Sequence, residues 1–304
     1  MIYLAIEGRL GNQFFQYAFA RSLQKKTGEQ LVIDYTVPER VGCNGYEESL
    51  KYYNVVDYTK TYGDLRDRRV YIIYKVFRKL KPKNLYLKYI YERIFSPLLN
   101  IFGIFYIEND HKYIKQRILR NKFKYVKGWF ESPKYFEEID DIIKNELTPK
   151  YDLQPQDKAT IDKLHAFDTI CVTVRRGDFL NDDMSNRFLI CTPDYYYHGV
   201  EFIKKQIEKP LIYVCSDDIE WCRQNLRFDG EVIFERHGLA IWEKLAIMIE
   251  CKHFVISNST FSWWAQHLCK YNNKIVVSPD RWRNEIPLPE AIYEDSWYRY
   301  NEIK

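Results

Sequence analysis

Residues 169–179, Thr-Ile-Cys-Val-Thr-Val-Arg-Arg-Gly-Asp-Phe, join a β-branched apolar run to an abrupt polar end. The apolar run predicts a buried strand. Because ligands of α/β sheets bind just beyond the carboxyl ends of strands, this strand would deliver Arg175 and Arg176 to a ligand. A guanidinium is always charged and matches phosphate oxygens in pairs, which indicates a phosphorylated ligand. A strand-end salt bridge without a function is the alternative interpretation.

Strand and helix patterns alternate in the residues that follow. Apolar strand patterns lie at 211–215, 231–234, 254–256 and 275–277, and helical patterns lie at 192–207, 240–251 and 261–269. This alternation predicts a doubly wound parallel sheet. Two further strands end in polar residues, Ser216-Asp217-Asp218 and Ser257-Asn258-Ser259-Thr260. Convergence of polar residues at three strand ends favours a binding site over an isolated salt bridge.

The amino-terminal part predicts a parallel crossover unit of its own. Residues 2–6 and 31–34 have strand patterns, and residues 12–26 form an amphipathic helix between them. The connecting loop, Glu7-Gly8-Arg9-Leu10-Gly11-Asn12-Gln13, lacks the GxGxxG spacing of a nicotinamide-binding loop. It does place backbone N–H groups, Asn12 and a helix amino terminus where an anion or a hydroxyl-rich ligand can bind.

The length of 304 residues suits two domains. The polar, proline-containing segment 148–157 is the predicted boundary between them. We therefore expect an amino-terminal domain over residues 1–155 and a carboxyl-terminal domain over residues 156–282. Residues 283–304, rich in Trp and Tyr, are expected to form a tail that packs back on the first domain.

One segment concentrates positive charge. Residues 66–93 hold ten Lys or Arg and two acidic residues, a net charge of +8. Because the whole chain carries +4, the remainder carries −4. Apolar residues recur there at helical spacing, which is typical of a basic amphipathic helix. Peripheral contact with an anionic membrane is one interpretation. The other is a surface helix that packs its apolar face on its own domain.

Composition and motif searches exclude several classes of protein. The seven cysteines form no CxxC pair and lie mostly in apolar patterns, which indicates reduced, buried thiols in a cytosolic protein. The chain opens on a strand pattern and has no apolar run long enough to span a bilayer, so we expect no signal peptide and a cytoplasmic location, at most peripheral at the inner face of the membrane. The mild charge gives no reason to expect nucleic acid as a partner.

Metal and hydrolase chemistry are not expected. Three adjacent acidic pairs occur, Asp140-Asp141, Asp182-Asp183 and Asp217-Asp218. Hard cations need several oxygen ligands together, and neighbouring side chains on a strand point to opposite sides. No GxSxG motif is present, so a serine nucleophile elbow is excluded.

Five motifs resemble those of the α-1,2-fucosyltransferases of glycosyltransferase family 11. Residues 8–18, Gly-Arg-Leu-Gly-Asn-Gln-Phe-Phe-Gln-Tyr-Ala, are similar to the amino-terminal signature, and residues 175–178, Arg-Arg-Gly-Asp, to the HxRRGD motif. Residues 216–222 and 257–265 resemble two downstream motifs, and residues 128–136 are a looser match. The resemblance runs in family order over residues 8–282, whereas residues 42–122 carry no recognised motif.

The resemblance implies an inverting, metal-independent enzyme with no cofactor. Its implied fold is α/β and GT-B-like, with two Rossmann-like domains facing across a cleft. Its donor would be GDP-fucose, bound by the carboxyl-terminal domain. L-fucose would pass to a hydroxyl, the 2-OH of a terminal galactose, on an oligosaccharide or a lipid-linked polysaccharide precursor.

The resemblance also implies roles for particular residues. Arg175 would hold the β-phosphate, since a preplaced guanidinium stabilises the charge that develops on the leaving diphosphate. Asn12 would face the reacting centre, and the catalytic base is sought in Asp178 or Glu7. The remaining predicted donor-binding residues are Gly11, Asp217, Asn258, Ser259 and Thr260.

One position departs from the family pattern. The histidine of HxRRGD is Thr173 here, which cannot titrate near neutrality or reach as far. A shifted donor pose, or another GDP-deoxyhexose as donor, is therefore an alternative. The alternative from another class is a basic, non-catalytic module that binds membranes or RNA through residues 66–93.

Overall fold

A computed structural model describes residues 1–41, 46–63, 68–108, 112–180, 188–284 and 291–301, with Arg68, Leu85 and Asp178 described by their backbone alone. The chain divides into two compact units. Unit 1 holds residues 1–147 and 291–293, and unit 2 holds residues 148–284 and 294–301. The change between them falls at the start of the segment 148–157, where the sequence predicts a domain boundary.

Unit 1 is built on a parallel sheet. The strands described there are β1 (Ile2–Ala5), β2 (Leu31–Asp34), β3 (Thr59–Thr61), β4 (Ile104–Ile107) and β5 (Lys124–Gly128). Its helices in the described residues are α1 (Leu10–Thr27), α2 (Thr36–Val41), α3 (Arg68–Leu80), α4 (Leu85–Ile101) and α5 (Asp140–Glu146). The strand order is β3-β2-β1-β5-β4, so the direction of winding reverses between β1 and β5.

Helix α1 follows β1 directly and covers the centre of this sheet. The residues whose spacing predicts one buried face are all buried: Phe15, Ala18, Phe19, Ser22 and Leu23. The helix ends where Gly28 adopts a φ of 68° and donates its N–H to the carbonyl of Gln24. A left-handed residue at this position is the usual way to stop a helix, and glycine adopts it without strain.

The basic segment forms two helices rather than one. Helix α3 ends at Leu80, Pro82 follows, and the Asn84 side chain caps α4 by accepting the N–H of Leu87 at 3.1 Å. Proline removes a backbone donor and disfavours helical geometry in the residue before it, which explains the break. Helix α3 buries Val70, Tyr74 and Phe77, and the Tyr74 ring contacts those of Tyr106 and Tyr125 on the sheet.

Unit 2 is built on a second parallel sheet. Its described strands are β6 (Asp168–Val174), β7 (Pro210–Ser216), β8 (Glu231–Phe234), β9 (His253–Val255), β10 (Val276–Pro279) and β11 (Tyr298–Tyr300). Its described helices are α6 (Pro155–His165), α7 (Pro193–Lys204), α8 (Ile219–Asn225), α9 (Ile241–Met248) and α10 (Thr260–Leu268). The order β11-β10-β9-β6-β7-β8 reverses between β9 and β6. The α/β class and the doubly wound parallel sheet are therefore confirmed.

Strand β6 lies in the middle of this sheet, and nearly every residue of it is buried. This burial explains its continuous apolar sequence, which is typical of strands covered on both faces. Helix α7 packs closely over the same region, because a side chain at Gly199 would come within 2.6 Å of Val255 on β9. The Tyr195 hydroxyl lies 2.6 Å from the carbonyl of Ile256 and fixes α7 to the end of β9.

The carboxyl-terminal tail is divided between the two units. Residues 298–300 form β11, which pairs in parallel with β10 and extends the sheet of unit 2. Residues 291–293 group with unit 1. No helix among the described residues is long and apolar enough to cross a membrane. The six described cysteines are buried and free, as the sequence predicts.

Candidate active site

The predicted polar strand ends of unit 2 meet at one edge of its sheet. Strand β6 runs between β9 and β7 in parallel, so their carboxyl ends carry Arg175, Ser259 and Asp217 to neighbouring positions. The winding reverses between β6 and β9, and such a reversal opens a crevice outside the strand ends where ligands bind. The structure therefore brings together the motifs at 175–178, 216–222 and 257–265.

A short ion-paired network joins the ends of β6 and β7. An Nη1 group of Arg175 lies 2.8 Å from Oδ2 of Asp217, and the two side chains keep 18% and 24% of their surface exposed. Oδ1 of Asp217 accepts the backbone N–H of Arg176 at 2.9 Å. Asp217 thus orients Arg175 at the sheet edge, where the arginine side chain is partly exposed.

Arg176 is used differently from Arg175. Its guanidinium carbon lies 3.6 Å from the ring centroid of Trp221, on helix α8. This cation–π contact fixes the second arginine against the protein. The first arginine is therefore the better placed of the two for an anionic ligand.

Gly177 lets the loop after β6 pass close to Asp217. A Cβ atom at this position would lie 2.5 Å from Oδ2 of Asp217, the same oxygen that holds Arg175. No real Cβ approaches an oxygen this closely, so any side chain would push the carboxylate aside. The glycine is required by the geometry of the ion pair.

A buried ion pair supports the turn after β7. Glu235, which directly follows β8, accepts hydrogen bonds from Lys244 Nζ at 2.6 Å and from the N–H of Ser216 at 3.4 Å. Lys244 also donates to the Ser216 carbonyl at 3.0 Å. Burial raises the pKa of Glu235 despite the opposing effect of Lys244. The sequence analysis did not predict this pair. The available signal was Glu235, a polar residue at the end of a fourth strand, β8.

Asp218 caps the helix that follows. Its Oδ1 accepts the N–H of Trp221 at 3.2 Å, and its own N–H donates to Ser216 Oγ at 2.9 Å. A carboxylate at the N-cap satisfies a helix donor and interacts favourably with the helix dipole. Asp218 is thus a structural neighbour of Asp217, with its carboxylate committed to the helix amino terminus.

Thr173, which replaces the family histidine, faces the reversal point. Its hydroxyl accepts the N–H of Ser257 at 3.0 Å, and only 4% of the residue is exposed. This hydrogen bond ties the end of β6 to the end of β9. The threonine therefore holds two strand ends together and offers no open group to a ligand.

The loop after β9 contains one braced residue and two accessible ones. The amide of Asn258 donates to the carbonyls of Leu189 and Trp282 at 2.9 and 2.8 Å and is buried. Ser259 and Thr260 are partly exposed at the amino terminus of α10, where backbone N–H groups favour anions. Asn258 thus shapes the loop, and Ser259 and Thr260 lie partly exposed at the start of the next helix.

The glycine loop of unit 1 lies at the reversal point of its own sheet, after β1. Gly8 has a φ of 81°, and a Cβ there would lie 2.7 Å from Nδ2 of Asn12. The Glu7 carboxylate is ion-paired with Lys127 of β5 at 3.0 Å. Gly11 is buried in the first turn of α1, whereas Asn12 is partly exposed.

Two buried glutamines hold this loop in place. The Gln16 amide accepts the N–H of Glu7 and donates to its carbonyl, both at 2.9 Å. The Gln13 amide donates to the carbonyls of Gly8 and Glu47 and accepts the N–H of Ser49. Much of the polar content of residues 8–18 is therefore committed to the loop backbone.

Two predicted features fall outside the description. The side chain of Asp178 and the whole of the Asp182-Asp183 pair lie outside the described residues. Among the side chains that are described, no group of three or more His, Cys, Asp or Glu is arranged to hold a metal ion. Metal independence stays a prediction, as do the roles of the individual site residues.

Comparison with known proteins identifies the family. A model of the family described as glycosyl transferase family 11 matches residues 1–301. The chain belongs to glycosyltransferase family 11. The resemblance found in the sequence motifs is thereby confirmed over almost the whole chain.

Individual relatives are distant and differ in the sugar that they are named for. The chain is 24% identical to an α-1,2-colitosyltransferase of Escherichia coli, over 94% of this chain and 95% of that protein. It is 26% identical to the galactoside α-(1,2)-fucosyltransferase 1 of Lagothrix lagotricha, over 60% of this chain and 54% of that protein. Among solved structures it is similar to NodZ α-1,6-fucosyltransferase soaked with GDP-fucose, with a TM-score of 0.48, 15% identity, and 88% and 91% coverage.

Proposed function

We propose that this family 11 glycosyltransferase moves L-fucose from GDP-fucose to a glycan hydroxyl, with inversion at the transferred carbon and without a metal ion. The 2-OH of a terminal galactose is the proposed acceptor group. The α-1,2 linkage in the names of both sequence relatives supports this position, and the galactoside in one of them supports the acceptor.

The observation that carries the proposal is the orientation of Arg175. Asp217, at the end of β7, holds the guanidinium at the carboxyl end of β6, which borders the reversal point, and 18% of the Arg175 side chain is exposed. When the bond between fucose C1 and the diphosphate oxygen breaks, negative charge develops on the departing GDP. Arg175 and the N–H groups near Ser259 and Thr260 supply the positive potential that stabilises it, in place of a divalent cation.

Attack by the acceptor-sugar hydroxyl requires a base that takes its proton. The acceptor oxygen forms a bond to C1 from the side opposite GDP and loses its proton to a base. Asp178 and Glu7 remain the two candidates, and Asn12 with Gly11 is proposed to contact the sugar. Glu7 is already ion-paired with Lys127 and so has a structural partner. Replacing each carboxylate in turn by its amide, Glu7→Gln or Asp178→Asn, would show which of the two acts as the base.

A different donor sugar is the second candidate. Thr173 is buried and committed to Ser257, so the contact made by the family histidine is absent from that position. A relative named for colitosyl transfer shows that family members differ in their sugar. The family membership argues against the non-catalytic alternative, since it is a family of transferases.

A transfer assay with purified protein tests the proposal. GDP-fucose and related GDP-sugars are each incubated with galactose-terminated acceptors, with and without EDTA, and the product linkage is determined by NMR. We expect a new α-1,2-fucosyl linkage that EDTA does not suppress. Transfer from another GDP-sugar alone would establish the second candidate, and loss of transfer in EDTA with recovery on adding Mg²⁺ would contradict metal independence.

A further inference from the structure

Helices α3 and α4 expose two rows of aliphatic side chains. On α3 the row contains Ile72, Val76 and Leu80, spaced by four residues and 51–68% exposed. On α4 it contains Leu87, Ile94, Leu98 and Ile101, spaced by seven, four and three residues and 50–58% exposed. These spacings place each row on a single helix face. We refer to the two rows together as the α3–α4 surface.

The two helices are held by other residues. The Phe77 and Tyr91 ring centroids lie 4.6 Å apart, and the Tyr91 hydroxyl donates to the Phe77 carbonyl at 3.0 Å, which joins α3 to α4. Tyr89 and Leu99 are the apolar residues that α4 buries, as Val70 and Tyr74 are for α3. The exposed rows are therefore not needed to hold the helix pair on unit 1.

Exposed positive charge accompanies these rows. Lys75 and Lys79 precede Val76 and Leu80 directly, and both lysines are exposed. The acidic Glu92 of α4 is fully buried. Since residues 66–93 carry a net charge of +8 and the remainder −4, the molecule is polarised toward this surface.

Aliphatic rows beside exposed lysines suit an anionic lipid surface. Amphipathic helices of this kind lie in the headgroup region, with aliphatic side chains inserted and Lys or Arg near the lipid phosphates. A second copy of the chain would bring like charges together across a symmetric interface. Single-stranded RNA is bound by stacking on aromatic rings, and Tyr71, Tyr86 and Phe95 are exposed on the same helices, so RNA binding is an outcome that the test must distinguish.

We propose that the α3–α4 surface is a peripheral membrane-binding site for bilayers that contain anionic phospholipids. Ile94 and Leu98 insert among the acyl chains, and Lys75 and Lys79 contact headgroup phosphates. The proposal does not depend on the transferred sugar or on the acceptor.

Vesicle co-sedimentation with the full chain tests the proposal. The vesicles contain phosphatidylcholine, with or without phosphatidylglycerol. Two paired variants are compared with the unaltered protein, Ile94→Asn with Leu98→Asn and Lys75→Gln with Lys79→Gln. The matched controls are Leu119→Asn, an exposed leucine elsewhere on unit 1, and Lys205→Gln, an exposed lysine on unit 2. Circular dichroism melts confirm that each variant folds.

We expect binding to anionic vesicles that weakens with salt, and little binding to phosphatidylcholine alone. Each paired variant should bind at least about tenfold more weakly, and the controls should bind normally. Equal binding to both vesicle types, or paired variants that bind like the controls, would overturn the proposal. A dimer seen by light scattering and dissolved by the Ile94→Asn and Leu98→Asn pair, or RNA binding without vesicle binding, would assign the surface to another partner.

Discussion

The two sheets reverse their winding at equivalent places, yet they use polar residues there differently. In unit 2 the strand beside the reversal carries the partly exposed Arg175, which is ion-paired with Asp217 of the next strand end. In unit 1 it carries Gln13 and Gln16, which are fully buried and bonded to the loop backbone. A family motif therefore marks a partly exposed, ion-paired charge in one unit and a structural brace in the other. Motif membership alone does not distinguish these roles, whereas exposure and hydrogen-bond partners do.

The largest expected effect is the loss of activity when Arg175 is replaced. Arg175→Ala should lower kcat/KM by about 10²–10³-fold, because it removes a preplaced charge that stabilises the leaving group. Steady-state kinetics with GDP-fucose measures this effect. Arg175→Lys should recover part of the loss, since the charge is kept and the paired geometry is not.

Arg120→Ala is the matched control, because Arg120 is exposed on unit 1 and lies outside the motifs. It should leave kcat/KM within about twofold of the unaltered enzyme, as surface substitutions usually do. If Arg175→Ala were as active as this control while folding normally, the ligand-facing role of unit 2 would be wrong.

The next effect is on the stability of unit 1. Gln16→Ala should lower the free energy of unfolding by about 2–4 kcal/mol, because the N–H and carbonyl of Glu7 both lose their partner. Denaturation in urea measures the loss. Gln24→Ala in the same helix should cost about 0.5 kcal/mol or less. Equal losses of unfolding free energy in the two variants would show that the hydrogen bonds of Gln16 to the Glu7 backbone do not stabilise the loop.

A third prediction compares alanine substitutions at Gly8 and Gly28, to separate the cost of backbone strain from the cost of a clash with Asn12. Gly8 and Gly28 both have positive φ, but only Gly8 has a side chain within 4 Å of the position of a Cβ. Gly28→Ala should cost about 1 kcal/mol for the left-handed backbone, and Gly8→Ala should cost more, about 2–3 kcal/mol. Thermal melts compare the two, and a smaller loss at Gly8 would contradict the predicted contact.

The smallest effect concerns the opposite end of the sheet in unit 1. Glu29 lies 2.9 Å from the amino-terminal ammonium and 2.5 Å from Lys124 Nζ. Burial raises the pKa of Glu29, but these two cations outweigh it and the net pKa is lowered. A lowered pKa in the folded state means that the stabilisation is present above the unfolded pKa and disappears as the pH falls through the folded one.

Glu29→Gln should therefore destabilise the protein at neutral pH, by on the order of 1 kcal/mol, and the difference from the unaltered protein should begin to shrink at about pH 4 and vanish once the pH is below the lowered pKa of the folded state. Melting temperatures measured across this pH range give the comparison. A difference that persists unchanged at acidic pH would mean that the ion pairs are not its source.

Periodicity predicted most of the fold because its elements bury continuous or regularly spaced apolar residues. Strand β8 has the predicted bounds, β6 begins one residue earlier than its predicted apolar run, and α10 is shifted by one residue at both ends. The prediction failed for the basic segment, where one helix was expected and two form. The apolar spacing ends at Leu80, and the run Lys81-Pro82-Lys83-Asn84 with its proline carried the signal for the break.

The candidate site was predicted in outline, and its internal contacts were not. Arg175 and Asp217 follow apolar strands, so their position at the sheet edge could be inferred from sequence. The commitment of Thr173 to Ser257 depends on which strands are neighbours, and the pairing of Glu235 with Lys244 depends on how α9 packs. Both depend on tertiary geometry, which spacing along the chain does not encode.

Strand order also fixes when each unit can assemble during synthesis. Strand β1 is made first, yet its partner β5 lies about 120 residues later, so the sheet of unit 1 stays incomplete while α3 and α4 leave the ribosome. The face that α3 packs on the sheet, including Val70 and Tyr74, is thus exposed in the nascent chain before β5 exists. This makes the early chain a target for chaperones, or for any lipid surface near the ribosome, well before the sheet beneath those helices is closed.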